Sequence, residues 1–185
     1  DWTLAASTQE TDTRITGVDA LAVSPAFGAD GTVFAGTSSW LFKTTDAGAT
    51  WNQVEAVSSL LYGVSAVAVA PDYAASGHVM ATTGNRLHLS ENGGVTWTMQ
   101  SELGRGGALA YSPDFAQDRT AFVGGDGIWR TTNGGITWTR TLTESAWTIA
   151  VSPDYANDQT LFTGGFDGLI YASHDGGDRK STRLN

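Results

Sequence analysis

Hydrophobic and polar positions in this chain follow one arrangement four times. Ahead of each proline, large apolar residues alternate with alanine: Leu21-Ala22-Val23, Val67-Ala68-Val69, Leu109-Ala110-Tyr111 and Ile149-Ala150-Val151. Alternation at period two predicts a strand. The large side chains are expected to fill one gap between neighbouring layers. Alanine lets the next layer approach on the other face, so this strand is expected to be buried on both. Proline cannot donate a ladder hydrogen bond and marks where each strand stops, in Val23-Ser24-Pro25-Ala26-Phe27, Val69-Ala70-Pro71-Asp72-Tyr73, Tyr111-Ser112-Pro113-Asp114-Phe115 and Val151-Ser152-Pro153-Asp154-Tyr155.

A second strand follows each proline turn, at Val33-Phe34-Ala35-Gly36, Val79-Met80-Ala81-Thr82, Ala121-Phe122-Val123-Gly124 and Leu161-Phe162-Thr163-Gly164. A third begins Leu41-Phe42, Leu87-His88, Ile128-Trp129 and Ile170-Tyr171, with polar residues after it, and is expected to be half-buried. Then comes a short cassette: Thr44-Thr45-Asp46-Ala47-Gly48-Ala49-Thr50-Trp51, Ser90-Glu91-Asn92-Gly93-Gly94-Val95-Thr96-Trp97 and Thr131-Thr132-Asn133-Gly134-Gly135-Ile136-Thr137-Trp138. A fourth copy, Ser173-His174-Asp175-Gly176-Gly177, breaks off. The Asp or Asn at its centre can accept backbone N–H groups inside a turn. Gly48, Gly94, Gly135 and Gly177 supply the positive φ of a tight hairpin. Trp51, Trp97 and Trp138 are expected to be equivalent in space and to pack over their hairpins at the start of a fourth, outermost strand. Four copies pointing outward to four places make the cassette a structural fastener, not a ligand site.

The cassettes begin at residues 44, 90, 131 and 173, a spacing of 41 to 46 residues. That is the period of four-stranded propeller blades. The expected fold is all-β, with blades at about 17–56, 63–102, 107–143 and 147–177 and no helix longer than a turn. The cassettes resemble the Asp-box, or BNR, repeat Ser-x-Asp-x-Gly-x-Thr-Trp of sialidases, sortilin-type receptors, xyloglucan-cleaving hydrolases and photosystem II assembly-factor propellers. Together with the Ser-Pro-Asp-Tyr turn they look most like bacterial extracytoplasmic proteins built wholly of such repeats. The resemblance implies the fold and an extracytoplasmic or secreted location. It does not imply one activity, because its signature residues lie at the blade edge.

Both ends read as interrupted blades. Asp1-Trp2-Thr3-Leu4 matches the start of an outermost strand, expected over 1–10. After Gly177 the Thr-Trp pair is missing, and residues 178–185 carry three of the ten Lys and Arg residues. This octapeptide resembles a translated sequencing adapter. It is expected to be foreign to the native chain and frayed, or at best a loosely paired edge strand. The whole reads as three complete blades and part of a fourth, an arc of a larger ring whose bare blade faces favour aggregation.

Bulk properties narrow the partners. The net charge of -9 argues against a phosphate-backbone partner. No apolar run approaches the ~20 residues of a membrane helix. Without cysteine, neither a disulfide framework nor a thiolate metal site forms. The histidines His78, His88 and His174 share no spacing, and no metal or cofactor is expected. Oxygen-rich loops at Asp72, Asp114, Asp118, Asp154 and Asp158 admit Ca²⁺, but each Asp capping its own proline turn is the preferred reading. Gly104-Arg105-Gly106-Gly107 has no helix after it and is no phosphate loop.

Propeller ligands sit over the central channel, where the second strand joins the third and the fourth joins the next blade. Those loops carry the binding candidates Trp40, Arg86, Arg105, Trp147 and Phe166, and the acidic candidates Asp126, Glu144 and Asp167. Trp147 stands where the other blades have Asp19, Ser65 and Gly107, so no repeat-wide packing role explains it. Aromatic planes beside carboxylates suit sugar. A glycosidase needs two carboxylates ~5–9.5 Å apart across one site, and only Asp126, Glu144 and Asp167 qualify by position. A sialidase also needs an arginine cluster. Arg86 and Arg105 lie in suitable loops, whereas Arg119, Arg130 and Arg140 fall in strands or on the opposite face. The expected function is therefore a non-catalytic module for interaction, assembly or glycan binding, with protein or glycan as partner. The alternative is an Asp-box glycoside hydrolase with part of its site outside this segment.

Overall fold

Each alternating segment opens a four-stranded antiparallel sheet. The computed structural model describes residues 17–58, 63–102, 107–178 and 182–183. The expected outer strand at 1–10, Arg105 and most of the tail after Asp178 lie outside the described residues. The first sheet runs β1 (Val18–Val23), β2 (Val33–Thr37), β3 (Trp40–Thr44) and β4 (Asn52–Ser58). The second runs β5 (Ala66–Val69), β6 (His78–Thr83), β7 (Arg86–Glu91) and β8 (Thr98–Glu102). The third comprises β9 (Ala108–Tyr111), β10 (Ala121–Gly124), β11 (Ile128–Thr131) and β12 (Thr139–Leu142). The fourth comprises β13 (Thr148–Val151), β14 (Leu161–Gly164), β15 (Ile170–Ser173) and β16 (Thr182–Arg183). Chain order and sheet order coincide, so every sheet is an up-and-down meander, one blade of a partial propeller.

The first and second strands of each blade are joined by a single helical turn: α1 (Phe27–Asp30), α2 (Tyr73–Ser76), α3 (Phe115–Asp118) and α4 (Tyr155–Asp158). Each turn stops on a left-handed residue: Gly31 (φ 57°), Gly77 (φ 66°), Arg119 (φ 51°) and Gln159 (φ 50°). The carbonyl of that residue then accepts a backbone N–H from the cassette of its own blade. The donors are Ala47 at 3.0 Å, Gly93 at 2.9 Å, Gly134 at 3.0 Å and Gly176 at 2.8 Å. This bond ties the proline turn to the hairpin and explains why the two motifs recur in step.

Asp118 and Asp158 brace the turn as the capping reading expects. Each accepts a Ser hydroxyl at 2.6 Å, from Ser112 and Ser152, and a Thr backbone N–H at 2.8 Å, from Thr120 and Thr160. Asp30 does the same in the first blade with Ser24 and Thr32. Asp114 and Asp154 do not cap their helical turns through side-chain bonds. Asp154 accepts Asn157 Nδ2 instead, at 2.6 Å, and Asp72 accepts the Ser76 hydroxyl at 2.8 Å.

The hydrophobic core lies between blades and not within them. The first junction joins Phe34, Leu41 and Val57 of the first blade to Val64, Tyr73, Val79 and Ala81 of the second. The next joins Met80, Leu87 and Leu89 to Phe115, Ala121 and Val123. The third joins Phe122, Ile128 and Leu142 to Tyr155, Leu161 and Tyr171. Aromatic rings meet edge to face across two of them, Phe34 with Tyr73 at 6.2 Å and Phe122 with Tyr155 at 5.8 Å. The large residues of each inner strand face the preceding blade: Val67 and Val69, Leu109 and Tyr111, Ile149 and Val151. One expectation needs correction. The inner strands β5 and β9 are half-buried, and the fully buried strands are the second ones, β6 and β10. An inner strand has a partner on one side only, and its other edge borders the open channel.

Candidate functional site

The loops of the channel end are stitched from blade to blade. Val64 N–H donates to the Thr37 carbonyl at 2.7 Å, and Ala146 N–H to the Gly125 carbonyl at 2.8 Å. The incoming segment runs so close that no side chain fits beneath it. A Cβ on Gly36 would lie 2.8 Å from the Val64 carbonyl oxygen, and one on Gly124 would lie 2.6 Å from that of Ala146. Glycine is therefore required at Gly36 and Gly124, where these two crossings pass.

On that frame sits the one aromatic pair among the candidates. The rings of Trp147 and Phe166 lie 4.3 Å apart between centroids, tilted by 48°. Trp147 N–H donates to the Gly164 carbonyl at 2.8 Å, which fixes its backbone at the rim. Its indole also covers Gly107 of the neighbouring blade: a Cβ there would lie 2.9 Å from indole Cε3. Trp147 is half-buried, and Phe166 is 77% exposed. The pair spans the third and fourth blades at the channel end.

Two of the acidic candidates, Asp167 and Glu144, hold local bonds through their carboxylates, whereas Asp126 does so through its backbone carbonyl. Asp167 Oδ1 accepts Leu169 N–H at 3.0 Å, and Oδ2 accepts the Tyr171 hydroxyl at 2.5 Å. Glu144 Oε2 accepts the Thr143 hydroxyl at 3.1 Å. The Asp126 carbonyl accepts Arg140 Nη2, which also reaches the Thr143 carbonyl at 3.2 Å. Arg140 falls in a strand, as expected from the sequence. Its backbone lies in β12, but its long side chain extends to the channel end and wraps the Gly127 turn, and only side-chain reach signalled this. Arg119 and Arg130 stay away from the rim. Arg119 Nη1 lies 3.8 Å from Asp72 Oδ2, and Arg130 Nη1 lies 3.6 Å from Asp178 Oδ1.

Trp40 and Arg86 open β3 and β7 in the first two blades. Among the described residues, no hydrogen bond, ion pair or ring contact joins either to the Trp147–Phe166 pair. Arg86 stands near His88, whose Nε2 lies 2.9 Å from the Thr83 hydroxyl. Burial pushes the His88 pKa down, and the Arg86 charge adds to the shift. Among the described residues, no group of three or more His, Asp or Glu side chains could hold a metal ion.

The cassette residues act on the backbone. Asp46, Asn92 and Asn133 accept the N–H of Thr50, Thr96 and Thr137 at 2.8, 2.9 and 3.0 Å. Trp97 and Trp138 donate their indole N–H to the Gly94 and Gly135 carbonyls at 3.1 Å. Trp97 also meets Phe34 of the preceding blade edge to face at 6.5 Å, so it seals a junction as well as a hairpin. The sequence reading gave no role to the first cassette residue. Thr44, Ser90, Thr131 and Ser173 each accept the N–H of Gly48, Gly94, Gly135 and Gly177, at 2.8–3.0 Å, and donate to the central Asp46, Asn92, Asn133 or Asp175. Its recurrence as a small hydroxyl was the available signal.

Two open grooves of about 490 Å³ each lie elsewhere, one between Asp30, Tyr73 and Gly93 and one beside Lys43 and Gln53. The rim candidates line neither.

No family model matches the chain, and no curated protein matches it. Solved structures do. An ancestral GH74 enzyme superposes with a TM-score of 0.73 at 20% identity, covering 91% of this chain and 24% of its own. The GH74 xyloglucanase of Xanthomonas campestris gives 0.67 at 19% identity, covering 89% and 29%. YCF48, solved bound to D1 peptide, gives 0.63 at 15% identity, covering 96% and 56%. The chain thus spans between a quarter and about half of these structures. Identities this low establish the fold and nothing more specific: four antiparallel blades of a β-propeller, similar to parts of larger ones.

Proposed function

We propose that this partial propeller is a non-catalytic, extracytoplasmic binding module of the Asp-box class. Its contact surface is the Trp147–Phe166 rim, and its ligand is a glycan. The carrying observation is the ring pair at 4.3 Å, exposed Phe166 on half-buried Trp147, whose backbone is fixed at the channel end. Sugar rings present C–H faces that stack on such planes, and hydroxyls that bond to neighbouring polar groups. The loop bonds of Asp167 and Glu144 favour binding over hydrolysis. A general acid or nucleophile must present its oxygens to substrate, and both Asp167 oxygens accept bonds from their own loop.

A panel of immobilised polysaccharides, xyloglucan among them, tests the proposal. The protein is expected to bind at least one glycan, with binding lost in Trp147→Ala and reduced in Phe166→Ala. Equal binding by wild type and both variants, or no glycan bound, contradicts it. A second reading, a glycoside hydrolase with part of its site outside this segment, draws on the likeness to two GH74 structures. It predicts reducing-end release that disappears in Asp126→Asn or Asp167→Asn.

A further inference from the structure

The cassettes of the second and third blades place glycine directly after their central Asn, at Asn92-Gly93 and Asn133-Gly134. Asn is a thermolabile residue, and glycine after it leaves the next backbone nitrogen unshielded and the chain free to bend. That nitrogen can attack the Asn Cγ. A C–N bond forms, ammonia leaves and a succinimide ring remains. Water then opens the ring at either carbonyl, giving Asp or isoaspartate. The reaction needs an unengaged nitrogen and a side-chain amide able to swing onto it. The hairpin withholds both. Gly93 N–H donates to the Gly77 carbonyl at 2.9 Å, and Gly134 N–H to the Arg119 carbonyl at 3.0 Å. Asn92 Oδ1 accepts Thr96 N–H at 2.9 Å and the Ser90 hydroxyl at 3.1 Å, while Nδ2 donates to the Thr96 hydroxyl at 2.7 Å. Thr137 and Thr131 hold Asn133 the same way, at 3.0, 2.9 and 2.9 Å. Both Asn residues are exposed, so water reaches them and the bonds, not burial, give the protection.

We propose that Asn92 and Asn133 are latent deamidation sites, closed in the folded blade and exposed to reaction only when the cassette parts from its helical turn. The bond that engages each nitrogen is the one that ties the cassette to α2 or α3, so opening of that end of the blade and release of the nucleophile are one event. The two products differ in consequence. Asp rebuilds a working cassette, as Asp46 shows by accepting Thr50 N–H. Isoaspartate adds a methylene to the main chain. It displaces Gly93 from Gly77 and Gly94 from the Ser90 hydroxyl, and the hairpin no longer closes in register. A blade that opens for long enough is thus marked irreversibly.

Peptide mapping by mass spectrometry tests this on the full chain, aged in mildly alkaline buffer with and without urea. In urea, Asn92 and Asn133 are expected to convert ahead of Asn52, Asn85 and Asn157, which precede Gln53, Arg86 and Asp158. In the folded chain both are expected to convert at least ~10-fold more slowly, which an opening cost of only ~1.4 kcal/mol already gives. After the urea is removed, the refolded fraction should keep Asp at both sites and be depleted of isoaspartate. Thr96→Val keeps the side-chain shape and removes the hydroxyl that holds Asn92 Nδ2. In the folded variant Asn92 should convert faster while Asn133 keeps its wild-type rate, and that unchanged rate verifies folding. Equal rates with and without urea overturn the proposal, as does isoaspartate that refolds as well as Asp. Acceleration of both sites by Thr96→Val, or of neither, overturns the assignment of the protection to the hairpin.

Discussion

The central residue of the cassette alternates between Asp46, Asn92 and Asn133, and the hydrogen bonds show why either serves. Both accept the Thr backbone N–H. The hydroxyl of the same Thr then turns to suit: Thr50 donates to Asp46 Oδ2 at 2.5 Å, whereas Asn92 and Asn133 donate through Nδ2 to Thr96 and Thr137 at 2.7 and 2.9 Å. Only Asp titrates. The Thr50 hydroxyl and N–H, with help from Thr44, lower the Asp46 pKa from 3.8 to about 2. A depressed carboxyl pKa contributes stability above the unfolded value, lost as pH falls through the folded one. Asp46→Asn keeps an acceptor for the Thr50 N–H, as Asn92 and Asn133 do for Thr96 and Thr137, and is therefore expected to fold at pH 7. It should also flatten the loss between about pH 4 and 2, as read by urea melts. The Trp residues carry a smaller load than full burial implies. Trp97 and Trp138 are half-buried, so Trp→Ala should cost about half of the ~3–5 kcal/mol of a fully buried ring. Gly135→Ala combines φ of +100° with a Cβ 2.8 Å from Leu89 Cδ2 of the preceding blade. It should lower the melting temperature more than Gly28→Ala, whose Cβ meets nothing within 4 Å.

At the level of the element, the blade is a repeated solution to one problem. A four-stranded meander has two apolar faces and cannot bury either alone. Large residues on one face and alanine on the other make the blades stack in one direction. The proline turn and the cassette, tied by one backbone bond, hold that end of each blade. This much was legible in the sequence because it recurs: the first three strands of each blade, both motifs and the large-against-small faces follow from positions compared across four copies. What was not legible is what happens once. The reach of Arg140 to the Asp126 loop has no counterpart in the repeat, and neither does the capture of Gly107 by the Trp147 indole. The inner strand was misjudged because alternation reports which face is apolar, not how much of an edge is covered. His78 is another single event. It stands where Thr32, Thr120 and Thr160 stand in the other blades, with its ring 5.1 Å from Phe115. Burial lowers its pKa against the pull of Glu91. A His held neutral in the fold but charged when unfolded loses stability as pH falls below about 6.5. His78→Thr should remove that part of the acid sensitivity between pH 7 and 5, measured by thermal melts across the range.

For the whole molecule, three sealed junctions couple the four blades, each to its neighbour. Breaking one junction exposes two blade faces, so unfolding is expected to spread from the flanks inward, as in other stacked repeats. Amide exchange should be slowest in β6 and β10, which are buried on both faces, and faster in the half-buried β5 and β9. The short β16 pairs with β15 through Tyr171 with Arg183 and Ala172 with Thr182. It is thus an edge strand, and deleting residues after Asp178 should cost little stability.

Binding, not hydrolysis, is the proposed work of the channel rim, and ligand-observed NMR on one sample tests both. A glycan oligosaccharide chosen from the polysaccharide panel is titrated with protein while saturation transfer and anomeric resonances are followed together. Saturation transfer to sugar C–H protons is expected, lost in Trp147→Ala, with the anomeric region unchanged over a day. New reducing-end resonances that vanish in Asp126→Asn or Asp167→Asn would contradict it and make the rim an active site.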